Sequence, residues 1–474
     1  MTIPSLSFDT FANVIDGKLM ESTTTRRSLN PATLEENAEA PLSTVIDVNK
    51  AVQAAQKAAK LWAETSWDDR KAALLRFTQA FEEHRDKFAQ MLNKEQGKSV
   101  FWAQHEISFC QLTLGGETIE DTPQGKITAH YTPLGVVAGL TPWNYPVLLA
   151  CGKLGPALLT GNTFILKPSP FTPYCSLKLA ELGTQFFPPG VFQALGGDDE
   201  SGHALTSHPD VNMITLTGSI ETGKKVMAAC SPTLKRVTLE LGGNDAAIVY
   251  PDVDPATMAG KIALFAFCNS GQICTAMKRV FIHESIYDQV ISTLVQIVEV
   301  EGRKLQAGEE TMISPITNEP HFERTKEVFA SIEHERLTIT TGSTKPLAGR
   351  KGFFFLPTIV DNPPDSSAVV QQEQFAPVLP VMKWSDESDV VQMVNNTNAG
   401  LGASVWSRDE AQARRIGGKL QTGNIWINTH AEIQPNVPFG GQKQSGFGLE
   451  WGVEGLKAYC SLQSVYTRPY EPTQ

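Results

Sequence analysis

The chain reads as an α/β protein built on mostly parallel sheets. Short apolar runs at residues 135–140, 163–167, 211–216 and 245–250 have the length and composition of buried strands. Helical stretches such as 176–186 separate them, and alternation of this kind makes βαβ units. At 474 residues the chain exceeds what one hydrophobic core organises, so two or three domains are expected.

Ahead of the first strand, residues 47–60 are alanine-rich with apolar positions at helical spacing. Residues 68–94 continue the pattern, with Leu74, Leu75, Phe77, Phe81, Phe88, Met91 and Leu92 on one face. Asp47 and Asp68 are the expected N-caps. A second strand–helix series runs from residue 262 to about 437. No internal repeat, low-complexity block or long linker marks a domain boundary.

Composition excludes several classes. Hydrophobic residues make up 41% and charged residues 19%, an ordinary globular balance. Lys plus Arg number 40 against 51 Asp plus Glu, a net charge of −11, so no basic surplus exists to neutralise nucleic acid phosphates. Residues 1–11 carry neither a basic nor an apolar leader segment. The most apolar stretch, 135–159, is interrupted by Asn144, Lys153 and prolines, so no membrane span is expected. The seven cysteines, at 110, 151, 175, 230, 268, 274 and 460, form no CxxC pair and no metal-ligand spacing. No metal is expected, and reduced thiols in a cytoplasmic setting fit best.

Most of these cysteines read as small buried hydrophobes. Cys274 differs in its surroundings, Asn269-Ser270-Gly271-Gln272-Ile273-Cys274, where a turn can aim backbone amides at an oxyanion beside the sulfur. Upstream, Glu240-Leu241-Gly242-Gly243 places a carboxylate at a strand end beside glycines. It is either a solvated surface acid or a base free to swing. Thr141-Pro142-Trp143-Asn144-Tyr145-Pro146 is a rigid loop whose Asn144 amide can donate to an oxyanion, or an ordinary turn with a packing tryptophan. Thr217-Gly218-Ser219-Ile220-Glu221-Thr222-Gly223 leaves a strand and opens a helix, a setting in which phosphate meets backbone N–H groups. Lys167-Pro168-Ser169-Pro170 offers a cation at another strand end. Glu373-Gln374-Phe375-Ala376-Pro377 pairs an acid with a ring. The run from Pro438 to Gly448 is too glycine-dense for regular structure.

Taken together and in this order, from Asn30-Pro31-Ala32-Thr33 to Gly448, these segments resemble the aldehyde dehydrogenase superfamily over nearly the whole chain. The resemblance implies Cys274 as nucleophile, Glu240 as general base and Asn144 in the oxyanion hole. It implies Lys153 and Glu450 in a proton relay. It assigns Thr141, Pro142, Trp143, Lys167, Ser169, Gly218, Ser219, Gly223, Leu241, Glu373 and Phe375 to the cofactor. Tyr145, Leu148, Leu149, Cys268, Ile273, Ile433 and Phe439 would line the substrate entrance, with His430 and Glu432 near its mouth. The implied reaction is oxidation of an aldehyde through a thiohemiacetal and a thioester to a carboxylic acid. A CoA-acylating relative, or a non-catalytic binding protein, is the alternative; the former usually lacks the Glu240 base.

The implied architecture has a Rossmann-like dinucleotide domain at 1–116 and 133–242 and an α/β catalytic domain at 243–443. A small β-extension at 117–132 and 444–474 would build a homodimer or homotetramer. Three positions depart from the family pattern. Ala376 replaces a glycine and would strain its turn if φ is positive there, and Leu216 replaces a phenylalanine. Pro170 replaces the glutamate that many NAD-preferring members use on the ribose 2′-hydroxyl. NAD is the expected cofactor, with NADP not excluded, because no arginine lies near Lys167 to pair with a 2′-phosphate. The apolar lining, without an arginine, points to a medium aliphatic or aromatic aldehyde rather than an acidic semialdehyde.

Overall fold

The computed structural model describes residues 6–106, 117–122 and 125–468; Cys110 and the outer limits of the expected segments at 1–5, 107–116, 123–124 and 469–474 lie outside the described residues. Among the described residues the largest sheet has eight strands, in the order Lys18–Met20, Asn13–Ile15, Phe192–Ala194, Thr163–Lys167, Val136–Leu140, Met213–Thr217, Arg236–Glu240 and Gly446–Phe447. The run from Phe192–Ala194 to Arg236–Glu240 is parallel, and the edges are antiparallel. The apolar runs are continuous because both faces are covered. Val137, Phe164 and Met213 pack on one side, and Val136, Ile165 and Ile214 on the other.

Register decides where the chemistry sits. Leu140 stands opposite Lys167 and Leu216, and Thr217 opposite Glu240. The carboxyl ends of these strands are therefore level, and their loops leave one edge, where open parallel sheets bind ligands. A second sheet of seven strands runs Ile339–Thr341, Thr358–Asp361, Val378–Trp384, Arg279–His283, Ala246–Val249, Gly402–Trp406 and Asn424–Ile427, parallel except for its first pair. A third, antiparallel sheet joins Cys460–Thr467, Gly125–Pro133 and Glu117–Thr122.

The helical reading needs three corrections. Thr44, not Asp47, caps the helix Val45–Glu64; Asp47 is the third residue of a capping box and reaches back to the Thr44 N–H at 3.0 Å. Ser66, not Asp68, caps the next helix. The stretch read as one helix is two, Trp67–Glu83 and Arg85–Gln96, broken at His84. Across the two helices Phe77, Phe81, Phe88, Met91 and Leu92 are buried while Leu75 is exposed.

Two buried acids tie helices to the cofactor-side loops. Glu95 accepts the Tyr174 N–H at 2.8 Å and the Cys175 N–H at 3.3 Å, capping Tyr174–Gly183, whose own Pro173 provides no side-chain cap. Glu106 accepts the N–H groups of Val147 and Leu148 at 2.8 and 3.0 Å, at the start of Pro146–Leu159. Its other oxygen pairs with buried Lys98 at 2.6 Å, and Lys98 also donates to the Asn144 carbonyl at 3.1 Å and lies 3.7 Å over the Tyr145 ring. The 141–146 loop is thus held from beneath by an ion pair.

Burial pushes the Glu95 carboxyl up to about 7, against about 4.3 in an unfolded chain. A raised folded value means the stabilisation is complete below about 4.3 and is lost as pH rises through about 7. Glu95→Gln is expected to flatten that part of the stability profile in urea midpoints measured across pH 4.5 to 8. Lys98→Met leaves the Glu106 charge buried and unpaired and is expected to cost about 3 kcal/mol or more. A lower urea midpoint would check this, and an unchanged midpoint would contradict it.

Candidate active site

Cys274 lies on the connection between the helix Pro255–Phe267 and the strand Arg279–His283. Asn269, Ser270 and Gly271 have φ of 52°, 55° and 69°, three successive left-handed residues that turn the chain sharply. Neighbours over-determine this conformation. The Asn269 side-chain oxygen accepts from Gln96 at 3.0 Å and from Ser314 at 2.9 Å. Gln272 donates to the Asn269 and Pro315 carbonyls at 3.0 and 3.1 Å and accepts the Thr317 N–H at 3.0 Å. The Cys274 side chain is half-buried, and its thiol is pushed up to about 12, mainly by burial.

Glu240 ends its strand and is buried, so it is not a solvated acid. Both of its carboxylate oxygens lack a hydrogen-bond partner. Burial first, and the Glu450 charge second, raise its pKa well above the usual range, while Lys153 opposes them. Glu450 is itself buried, pairs with Lys153 and accepts from Thr215 at 2.8 Å. Its backbone exchanges two 2.8 Å hydrogen bonds with Phe439. The glycine-dense run is therefore partly regular, with short pairings at Gln442–Lys443 and Gly446–Phe447.

A cavity of about 80 Å³ brings Cys274 and Glu240 onto one wall. Leu148, Leu149, Ile433 and Phe439 line it, as the sequence led one to expect, together with Leu241. Tyr145, Cys268 and Ile273 do not line it. Tyr145 lies against Lys98, Cys268 is buried, and the Ile273 carbonyl is held by Lys278 at 2.6 Å. Trp451, Pro435 and Thr217 also line the cavity and were missed. Trp451 has φ of 61°, and its ring approaches Gly152, a placement made by tertiary contact with no local pattern to announce it. Asn144 is buried and donates to the Gln272 carbonyl at 3.0 Å, so its amide is held against the Cys274 loop. His430 is buried rather than at the mouth, bridging Ser404 and the Thr275 carbonyl at 2.9 Å each, whereas Glu432 is exposed.

Most of the residues expected at the cofactor share the carboxyl edge of the first sheet, while Glu373 and Phe375 come from the segment before Val378–Trp384 of the second. The Thr141 N–H donates to the Lys167 carbonyl at 3.1 Å, joining the 141–146 loop to the neighbouring strand end. Lys167 is buried, and Ser169 lies buried two residues beyond it. Ser219 caps Ile220–Cys230, whose first turn opens beside Gly218. A Cβ on Gly218 would stand 3.5 Å from the Leu216 side chain, an ordinary contact, so this glycine is not enforced by crowding within the chain. Gly223 works otherwise than expected: a Cβ there would stand 2.5 Å from Leu241, so this glycine lets the helix pack on Leu241. Glu373 accepts the Gly243 N–H at 3.1 Å, and a Cβ on Gly242 would meet its other oxygen. Trp143 stands edge-on to Phe375 at 5.5 Å, flanking the same side. Positive φ falls on Phe375, at 51°, and not on Ala376, so the alanine is unstrained.

These groups fit a dinucleotide. A helix start beside a glycine suits a diphosphate, a buried cation and an acid suit ribose hydroxyls, and the buried Thr141 and Thr217 hydroxyls have no partner. One expectation fails. Arg26 does lie near Lys167: it stacks on Phe171 at 5.2 Å, and its charge acts on Lys167. Burial is the main reason the Lys167 ammonium falls to about 8; Asp199 and Asp198 oppose that fall, and Arg26 adds to it.

The described residues contain no helix long and apolar enough to cross a membrane and no group of three or more acidic, histidine or cysteine side chains able to hold a metal. The aldehyde dehydrogenase family profile matches residues 19–465. Aldehyde dehydrogenase LUC3 of a Fusarium species is 37% identical, over 97% of this chain and 99% of its own. Phenylacetaldehyde dehydrogenase of Pseudomonas fluorescens is 36% identical, over 94% of this chain and 93% of its own. Betaine aldehyde dehydrogenase of Staphylococcus aureus, solved in complex with NAD+, matches with a TM-score of 0.91 at 29% identity, over 98% of this chain and 96% of that one. With sequence and fold in agreement over nearly its full length, the chain belongs to the aldehyde dehydrogenase family and is an oxidoreductase that oxidises aldehydes with a nicotinamide cofactor.

Proposed function

We propose that the protein oxidises a medium aliphatic or aromatic aldehyde to its carboxylic acid, with Cys274 as nucleophile and Glu240 as base. The observation that carries this reading is one small apolar cavity walled by the Cys274 thiol and by a buried carboxylate without a hydrogen-bond partner. Leu148, Leu149, Phe439 and Trp451 favour a hydrophobic substituent and offer no cation to an acidic one.

Cys274 adds to the aldehyde carbon, and the oxygen that becomes negative is met by the Asn144 amide and the Cys274 backbone N–H. A nicotinamide held by the groups at Thr141, Lys167, Ser219 and Glu373 would supply the acceptor for the hydride of this carbon. The acyl group then remains on Cys274 as a thioester. Glu240 takes a proton from water, the water oxygen attacks the thioester, and the acid departs as the thiolate is restored. Lys153 and Glu450, paired behind Glu240, carry the proton away from the cavity. An intact Glu240 favours hydrolysis over transfer of the acyl group to CoA.

NAD is the preferred cofactor on different grounds from those first drawn. Lys167 faces Asp198 and Asp199 as well as Arg26, and a Cβ on Gly202, in the first turn of Asp199–Ser207, would lie 3.8 Å from the Lys167 side chain. These carboxylates oppose a 2′-phosphate where Pro170 cannot. The edge strand Cys460–Thr467, with Leu462 and Tyr466 exposed, supports a homodimer or dimer of dimers. Free cysteines fit a reducing, cytoplasm-like compartment.

The test is reduced-nicotinamide formation with NAD+ and NADP+ in parallel over hexanal, benzaldehyde, phenylacetaldehyde and succinic semialdehyde. Cys274→Ala is expected to lower turnover at least ~1000-fold, and Glu240→Gln to leave a burst of one equivalent followed by slow hydrolysis. Survival of turnover in Cys274→Ala, or fastest turnover of the semialdehyde, would overturn the reading. Asp199→Asn is expected to raise the NADP+ to NAD+ ratio of kcat/KM roughly fivefold, the effect of a screened charge contributing about 1 kcal/mol. An unchanged ratio would remove Asp199 from cofactor selection.

A further inference from the structure

Lys278 stands four residues beyond Cys274, immediately before the strand Arg279–His283, and its side chain is buried. Its backbone is fixed by a 3.0 Å hydrogen bond from its N–H to the Asp245 carbonyl. Its Nζ donates to the carbonyl oxygens of Ile273 and Cys274, both at 2.6 Å, and lies 3.5 Å from Glu373 Oε1. The adjacent cation is used elsewhere: Arg279 spends its guanidinium on the Asn244, Met393 and Val394 carbonyls at 3.0, 3.2 and 2.9 Å. One of two neighbouring buried cations is therefore turned back onto the nucleophile's own loop.

We infer that Lys278 is a positioning residue for Cys274: it clamps the Ile273 and Cys274 carbonyls and presents a fixed positive charge to the Cys274 thiolate. The inference rests on reading Cys274 as the nucleophile. The two carbonyls are neutral dipoles and cancel only part of the ammonium's full charge, and Glu373, 3.5 Å away, is raised toward its neutral form chiefly by burial. Burial pushes the other titratable groups facing the thiol toward their neutral forms. Asp245, with Oδ1 accepting the Gly402 N–H at 3.0 Å, is pushed by burial to about 8 and is mostly protonated at neutral pH. Glu373 and Glu240 are also raised, chiefly by burial, and His430, pushed to about 3, is neutral. Burial drives the Cys274 thiol up, and Lys278 is the foremost influence in the opposite direction. The same side chain links the nucleophile's backbone to the acid expected at the nicotinamide ribose.

The experiment reads the thiol itself, on the full-length protein without cofactor. Carbamidomethylation of Cys274 by iodoacetamide is followed by peptide mass spectrometry from pH 6 to 10, with the other cysteines as internal references. Lys278→Gln keeps an amide donor for the carbonyls and removes the charge; with the thiol already held up at about 12, it is expected to slow Cys274 alkylation about tenfold at pH 8, the effect of one further unit. Lys278→Arg is expected to restore most of the rate. A Lys278→Gln profile that coincides with the parent's overturns the inference. Should the variants not fold, the unaltered protein decides: a cation at the thiolate makes iodoacetate at least as fast as iodoacetamide and that advantage shrink with salt, and a slower, salt-insensitive iodoacetate reaction overturns the inference. Alkylation needs no turnover, so failure of Cys274 as nucleophile is seen separately, in the activity of Cys274→Ala.

Discussion

A single serine holds the two large sheets in the relation that the chemistry requires. Ser445 Oγ donates to the Gly242 carbonyl at 2.7 Å and accepts the Gly400 N–H at 2.8 Å, and its own carbonyl accepts the Leu241 N–H at 2.8 Å. Gly446 and Phe447 then pair with Glu240 and Leu239. The elbow after Glu240 is where the chain leaves the first sheet for the second, and these bonds close around it. Every group in the cavity inherits its position from this junction: Glu240 from one side, Cys274 from the other, and Phe439 with Glu450 from the segment that closes over them.

The cavity's electrostatics follow from burial more than from ion pairing. Glu240, Asp245, Glu373 and Cys274 are all pushed toward their neutral forms, chiefly by desolvation. Desolvation of this kind raises the cost of every charge in the cavity, so preorganised donors count most where charge develops. The fixed cations are placed around that interior: Lys153 on Glu450, Lys278 on the nucleophile's carbonyls, and Lys98 beneath the 141–146 loop.

The strands of the first sheet were legible because both faces are buried, which writes uninterrupted apolar runs into the chain; residues 163–167 coincide with the strand found. The helix break at His84 was not, since nothing in the apolar spacing changes there. Cys274, Glu240 and Asn144 could be picked out because each lies in a short segment of unusual composition. Lys278, Trp451 and Arg26 could not. Their importance lies in contacts with residues far along the chain or in the direction of one side chain, and an ordinary Lys-Arg pair at a strand start says nothing of which cation turns inward. Gly223 shows the opposite failure: the right residue was marked, for a phosphate, while its bare Cα serves the packing of Leu241.

That contact has a consequence for how this enzyme can change over time. Leu241 follows Glu240 directly, lines the cavity that Cys274 shares and seats against the helix that opens at Ser219. A larger residue at 223 would displace the helix start and tilt the carboxylate beside it in one movement. The helix start at Ser219 and the Glu240 carboxylate are therefore mechanically one part here, and divergence in either has to be answered by substitutions in the other.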